Sequence, residues 1–371
     1  MRIAVPLETA PGELRVALTP DSVSRLVKGG HEVRLQAGAG VRAGFPDSTY
    51  TDAGASIADA ASIYADAVLV CRVQPPSPAE VAEMPEGVAL LSLLSPARNG
   101  PLLQLLADRR ILALALELVP RITRAQSMDV LSSQSTVAGY KAVLIGASLL
   151  PKFLPMLTTA AGTVSPAKVF VIGAGVAGLQ AIATARRLGG VVSAFDVRPA
   201  AREQVLSLGA TFVATELVAA ASETSGGYAK AQSADDAERT RNALAKHLPD
   251  VDMVVTTAQI PGRDAPKLIS AEMVASMRQG AVIVDLAAES GGNCEVTRAG
   301  ETIQSGHVTV IGPLNIAATV PFHASQMFSK NVVALVTLLS KDGALVIDAD
   351  EEITRPMTVV RDGQVVARSN S

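Results

Sequence analysis

Lys168-Val169-Phe170-Val171-Ile172-Gly173-Ala174-Gly175-Val176-Ala177-Gly178, continued by a helix-forming run over 179–188 and closed by Val191-Val192-Ser193-Ala194-Phe195-Asp196, is the stretch from which the fold can be read. A short β-branched and aromatic run, a glycine-punctuated turn, a helical run and a second apolar run predict strand, turn, helix and strand. The glycine spacing G-x-G-x-x-G has a physical reading at each place. Gly173 makes the tight turn, Gly175 lets a diphosphate approach the backbone, Val176 and Ala177 open the helix, and Gly178 lets helix and strand pack closely. Asp196, at the end of the second strand, is placed to accept the ribose hydroxyls of a dinucleotide and to repel a 2′-phosphate, which favours NAD(H) over NADP(H). Val197 and Arg198 follow it, and the cation at Arg198 leaves a 2′-phosphate open as the alternative. Gly38-Ala39-Gly40 with Gly44 imitates the motif, but its spacing is one residue too long and Pro46 interrupts the helix, so it reads as a loop.

Outward from this stretch, the chain divides into two βα series. Strands are expected at 2–6, 31–36, 67–72, 88–93 and 111–115, with helices at 21–28, capped by Asp21, and 101–108. Small and apolar residues over 127–156 predict a long connecting helix punctuated by Pro151 and Pro155. The second series adds strands near 210–213, 251–256 and 281–285, and a further helix is expected over 323–339. Asp362-Gly363, between Thr358-Val359-Val360-Arg361 and Gln364-Val365-Val366, suits a type I′ hairpin. The expected fold is α/β: two Rossmann-like, doubly wound parallel-sheet domains joined by long helices, with an interdomain cleft. The expected domains are 1–132 plus 322–371, a discontinuous Rossmann-like domain, and 133–321, the NAD(H)-binding Rossmann domain.

Composition narrows the class. Thirty-two basic against 35 acidic residues leave a net charge of −3, no footprint for nucleic acid or an anionic membrane surface. Hydrophobic residues at 49% against 18% charged exclude a disordered chain, and 3% aromatics argue against base-stacking modules. Cys71 and Cys294 form neither a disulfide framework nor a metal-ligand spacing, and His31, His247, His307 and His323 bring no second ligand beside them, so no metal site is expected. The apolar stretch 142–150 is too short for a membrane helix, so no direct membrane insertion is expected.

The run Pro120-Arg121-Ile122-Thr123-Arg124-Ala125-Gln126-Ser127-Met128-Asp129-Val130-Leu131-Ser132-Ser133-Gln134-Ser135 closely resembles a loop of the NAD(H)-binding component, domain I, of proton-translocating NAD(P)+ transhydrogenases. The resemblance continues through Gly226-Gly227-Tyr228-Ala229-Lys230, Ile260-Pro261-Gly262 and Asp285-Leu286-Ala287-Ala288-Glu289-Ser290-Gly291-Gly292-Asn293-Cys294, and covers essentially the whole chain. It implies that Arg121 and Ser132 hold the carboxamide and ribose end of NAD(H), that Asp129 orders Arg121 and the loop, and that Gln126 reaches the NADP(H) bound on a partner domain. It also implies that Gly227 and Tyr228 belong to a mobile loop closing over the adenosine side. The chain departs from the family pattern at Ala231-Gln232-Ser233, and at Gln259, a cofactor-side position where an apolar residue is expected.

Alanine dehydrogenases share the N-terminal pattern from Pro6-x-Glu8 to Glu13-x-Arg15-Val16-Ala17-Leu18-Thr19-Pro20. Oxidising an amine or hydroxyl needs a group that takes a proton as hydride leaves. Where those enzymes place a Lys and a His, this chain has Gln74 and Ser95. Hydride exchange between two nicotinamides moves no proton at the reacting carbon and asks only for positioning. The resemblance therefore implies a hydride-transferring, NAD(H)-binding subunit, homodimeric, whose partners are a membrane subunit and an NADP(H)-binding domain. It would be cytoplasmic and peripheral on the inner face of the plasma membrane. The alternatives are an alanine dehydrogenase-like amino-acid dehydrogenase using Arg15 and Glu289, and a non-enzymatic NADH-sensing module.

Overall fold

The computed structural model describes residues 1–213, 234–260, 263–348 and 350–366. The chain forms two compact units, one discontinuous (Met1–Gln134 with Ala317–Ser371) and one continuous (Ser135–Ile316).

In the discontinuous unit, six parallel strands run in the order Ser56–Ala58, Glu32–Gln36, Arg2–Val5, Leu69–Cys71, Ala89–Ser92, Leu112–Ala115. Thr358–Arg361 then adds antiparallel to Leu112–Ala115, and Gln364–Val365 closes the edge. Strand order reverses between Arg2–Val5 and Leu69–Cys71, the mark of a doubly wound sheet. Successive residues alternate between two buried faces. Ile3 and Val5 pack with Phe328, Val332 and Leu335 of the helix Pro321–Leu338, whereas Ala4 packs with Leu103 and Leu106 of the helix Gly100–Asp108. Burial on both faces is why these strands read as continuous apolar runs.

The continuous unit repeats the plan in the order Thr211–Phe212, Val191–Phe195, Lys168–Ile172, Met253–Thr256, Val282–Asp285, Val308–Ile311, with Thr302–Ser305 antiparallel at the edge. Val169 and Val171 face Ala181, Ile182 and Ala185 of the helix Val176–Arg187, and Phe170 and Ile172 face Leu244, Leu248 and Val274.

Several boundaries differ from the sequence reading. The first helix starts at Pro20 with Thr19 as its N-cap, and Asp21 lies in its first turn. The long helix Val130–Leu149 stops short of 156, because Leu150 precedes Pro151 and the helical conformation is disfavoured there. An antiparallel hairpin, Leu157–Thr159 with Gly162–Val164, occupies the segment beyond. Gly40 leads only into the 3-10 turn Val41–Ala43. Asp362 and Gly363 both have positive φ, 51° and 75°, as a type I′ turn requires.

Candidate functional site

In a doubly wound sheet, the crevice at the carboxyl ends of the strands flanking the reversal is where ligands bind. In the continuous unit those strands are Lys168–Ile172 and Met253–Thr256, so the crevice is lined by the glycine turn and by Thr257, Ala258 and Gln259.

The three glycines act through different contacts. Gly173 has φ of 94°, and a Cβ there would sit 2.6 Å from the Thr257 hydroxyl. A Cβ on Gly178 would lie 1.8 Å from the Gly173 carbonyl oxygen, so no side chain fits. A Cβ on Gly175 would meet only Nη2 of Arg198, at 3.9 Å. Protein packing thus gives no reason for glycine at 175, whereas close approach of a phosphate does. Gly175 is also the N-cap of Val176–Arg187, without a side-chain cap, so the first amides of that helix, at Val176 and Ala177, are aimed at the turn. These residues fit the diphosphate of a dinucleotide.

Asp196 is nearly buried, 6% exposed, at the end of Val191–Phe195. Its Oδ2 accepts from the Ala174 amide at 2.7 Å and from Arg198 Nη2 at 2.8 Å. Its Oδ1 accepts from the Arg198 amide at 2.8 Å and from Nε at 2.9 Å. Arg198 is therefore folded back on the carboxylate, with Val197 between them. This pairing neutralises the cation that sequence reasoning set out as a rival 2′-phosphate ligand.

The opposite wall is tied down by Gln259, a candidate of the sequence reading, and by Thr257, Asn293 and Asp285, to which that reading gave no role. The Thr257 hydroxyl donates to the Gly173 carbonyl at 2.9 Å, and Gln259 Nε2 donates to the Leu286 carbonyl at 3.0 Å. Asn293, fully buried, donates to the carbonyls of Ala258 and Pro266 and accepts from the Ala258 amide. Asp285 accepts from the hydroxyls of Thr256 and Thr297 and the amides of Ala287 and Cys294. The one sequence signal for these two was the resemblance running through 285–294. Gly227 and Tyr228 lie outside the described residues.

The Arg-Gln-Asp loop belongs to the discontinuous unit. Thr123–Met128 is a 3-10 turn whose Ala125 and Met128 are buried, while Arg121 and Gln126 are exposed. Asp129 precedes the helix Val130–Leu149, and its carboxylate accepts from the amide of Ser132 at 2.9 Å and from its hydroxyl at 2.6 Å. That is an N-cap, and it fixes Ser132 relative to the turn.

The crevice at the other strand reversal, beyond Arg2–Val5 and Leu69–Cys71, is filled by the protein's own polar groups. Glu8 accepts from the amides of Val73 and Gln74 and faces Arg72, which also pairs with Glu80 at 3.0 Å. Burial pushes the Glu8 carboxyl above its ordinary range, against the pull of Arg72 and the two amides. Arg15 holds Glu13 through Nε and Nη2 and donates to Gln134 from Nη1, and Gln74 Nε2 donates to Glu13 at 2.8 Å. Ser95 takes a positive φ, with its amide bonded to Glu117.

Two family models match: "Alanine dehydrogenase/PNT, N-terminal domain" over residues 4–138 and "Alanine dehydrogenase/PNT, C-terminal domain" over 142–368. The chain is 46% identical over 375 residues to an NAD(P) transhydrogenase subunit alpha polypeptide of Rhodospirillum rubrum, covering 99% of this chain and 98% of that protein. Alanine dehydrogenase of Halomonas elongata is 32% identical over 378 residues, covering 100% of this chain and 95% of that protein. Among solved structures, the transhydrogenase from Sinorhizobium meliloti superposes with a TM-score of 0.90 at 42% identity, covering 99% of this chain and 100% of that one.

Proposed function

We propose, from the premise that the chain belongs to the alanine dehydrogenase/PNT family, that it is the NAD(H)-binding catalytic component of a proton-translocating NAD(P)+ transhydrogenase. It exchanges hydride between NAD(H) on this chain and NADP(H) on a partner domain, while a membrane subunit carries the coupled protons. The observation that carries this reading over an amino-acid dehydrogenase is the chemistry of the N-terminal crevice. Gln74 there is an amide bonded to Glu13, and Arg15, the cation that would bind a substrate carboxylate, is engaged by Glu13 and Gln134. Neither Gln74 nor Ser95 titrates, so neither takes the proton that amine oxidation releases. The stronger likeness to the transhydrogenase subunit supports the same choice.

In this reading the amides of Val176 and Ala177 and the turn Gly173–Gly178 hold the diphosphate, Asp196 takes the adenosine ribose, and Val197 and Gln259 flank it. Arg121 and Ser132 hold the nicotinamide end, Asp129 keeps Ser132 in place, and exposed Gln126 reaches the partner's nucleotide. Bound NAD(H) supplies the hydride chemistry, and the protein supplies orientation, worth most when the two nicotinamides meet within roughly 3–3.5 Å. The chain works as a homodimer. In support, the hairpin Leu157–Thr159/Gly162–Val164 and its approach expose Phe153, Met156 and Val164, a patch that suits a second copy. Among the described residues no helix is long and apolar enough to cross a membrane. The assembly holds this chain on the cytoplasmic face of the plasma membrane through its partners.

The test mixes the chain with the NADP(H)-binding domain of a transhydrogenase and follows hydride transfer from NADH to an NADP+ analogue. Transfer is expected only with both proteins, and Arg121→Ala and Gln126→Asn are each expected to slow it roughly tenfold or more. NADH binding without transfer would falsify the proposal, and pyruvate- and ammonia-dependent NADH oxidation by the chain alone would establish the dehydrogenase instead.

A further inference from the structure

The turn Thr123–Met128, which carries Gln126, is a six-residue 3-10 element, and such elements hold their shape poorly by themselves. Its three-residue repeat puts Ala125 and Met128 on the buried side and leaves Thr123 and Gln126 exposed. Arg124 pairs with Glu351 and Glu352, but its side chain is half exposed and an ion pair there constrains little. A further polar tie is buried. Asn331, 7% exposed on the helix Pro321–Leu338, donates from Nδ2 to the carbonyl of Ser127 at 2.7 Å. A carbonyl only accepts, so the amide nitrogen must face it.

Among the described residues the buried Asn331 Oδ1 then has no partner, an arrangement that lowers stability. A leucine, with the same branched skeleton, would place apolar atoms beside Phe328, Val332 and Leu335 without that cost. Packing therefore does not account for an asparagine here; the bond to Ser127 does. The same helix holds other backbone in this way, its Ser325 and Ser329 hydroxyls accepting from the amides of Val16 and Thr19.

We propose that Asn331 is a positioning residue for hydride transfer, fixing through the Ser127 carbonyl the pitch at which the 123–128 turn presents Gln126 to the partner's nucleotide. The inference rests on the transhydrogenase reading. Asn331→Leu removes the bond and keeps the branched side-chain skeleton. At saturating NADH, transfer to the NADP(H)-binding domain is expected to fall roughly tenfold to a hundredfold. The NADH dissociation constant should stay within about twofold, since Asn331 touches no group assigned to that nucleotide. Asn331→Asp gives a second readout. Its carboxylate faces Ser127 as an acceptor when ionised, but donates once protonated, so transfer by this variant should recover on acidification while the wild type shows no such rise. A folded Asn331→Leu chain that transfers at the wild-type rate overturns the proposal. Should that variant fail to fold, an Asn331→Asp pH profile parallel to the wild type overturns it equally. A wild type that transfers nothing is instead a failure of the transhydrogenase reading. Faster hydrogen exchange at the 127–129 amides in Asn331→Leu then still shows whether Asn331 fixes the turn.

Discussion

Four donors converge on the carboxylate of Asp196, and a carboxylate has about four lone-pair positions. The amides of Ala174 and Arg198 are fixed by the backbone, so two ribose hydroxyls can be accommodated only if the Arg198 guanidinium swings away. Asp196→Ala therefore has a two-sided expected outcome. NADH binding weakens by about 1.5–3 kcal/mol, the scale of hydrogen bonds to a charged group. NADPH binding strengthens, because Arg198 loses its carboxylate and can face a 2′-phosphate. Adding Arg198→Ala should abolish that gain. Titration calorimetry with both nucleotides checks it, and unchanged NADPH affinity in Asp196→Ala would contradict the assignment. The sequence located Asp196 because strand, turn and helix are local and periodic. It left Arg198 ambiguous because a neighbour two positions away can point to the ligand or fold back. Asn331 was invisible for another reason: its partner Ser127 is 204 positions distant, and nothing local marks an asparagine within an apolar helix face.

The helix Val130–Leu149 passes close to the glycine turn, and its glycines measure how close. A Cβ on Gly139 would lie 2.0 Å from the carbonyl oxygen of Ala177, in the first turn of Val176–Arg187. Backbone cannot yield there, so Gly139→Ala is expected to cost about 3 kcal/mol or more and to weaken NADH binding by displacing the turn. At Gly146 the Cβ would meet Met253 Sδ at 2.4 Å, the end of a flexible side chain. Gly146→Ala should cost markedly less, since methionine can move aside. Thermal unfolding with NADH titration separates the two, and equal costs would refute the distinction. The longer parallel strands and the helices Gly100–Asp108, Val176–Arg187 and Pro321–Leu338 were legible because their apolar runs are unambiguous, whereas the parallel strand Val308–Ile311 and the helices Pro199–Ser207 and Ala234–His247 were not singled out. Ser56–Ala58, Thr302–Ser305 and the hairpin after Leu149 were missed, since short, exposed strands lack the alternation that betrays a half-buried one.

Each unit carries a histidine drawn at least partly out of water. Burial holds His31 and His247 below the usual imidazole range, the latter beside Ser193 and edge-on to Phe170. Each contributes stability that is present above the unfolded value, about 6.5, and lost as the pH falls toward the lowered folded value. Melting temperature should therefore decline as the pH falls below about 6.5, and His247→Asn should flatten part of that decline; an unaltered slope would assign it elsewhere. The two units also share one winding order, but only one of them is contiguous in the chain. Ser135–Ile316 interrupts a sheet whose edge strands Thr358–Arg361 and Gln364–Val365, and whose covering helix Pro321–Leu338, come after it. Phe328, Val332 and Leu335 supply part of one face of that sheet's core, so that face of its first strands stays incompletely covered until the helix Pro321–Leu338 has been made. On the ribosome the continuous unit can finish first while the N-terminal strands wait, the reverse of the usual order in which domains are completed. Through that interval the earliest-made segment of the protein is the one most dependent on chaperones.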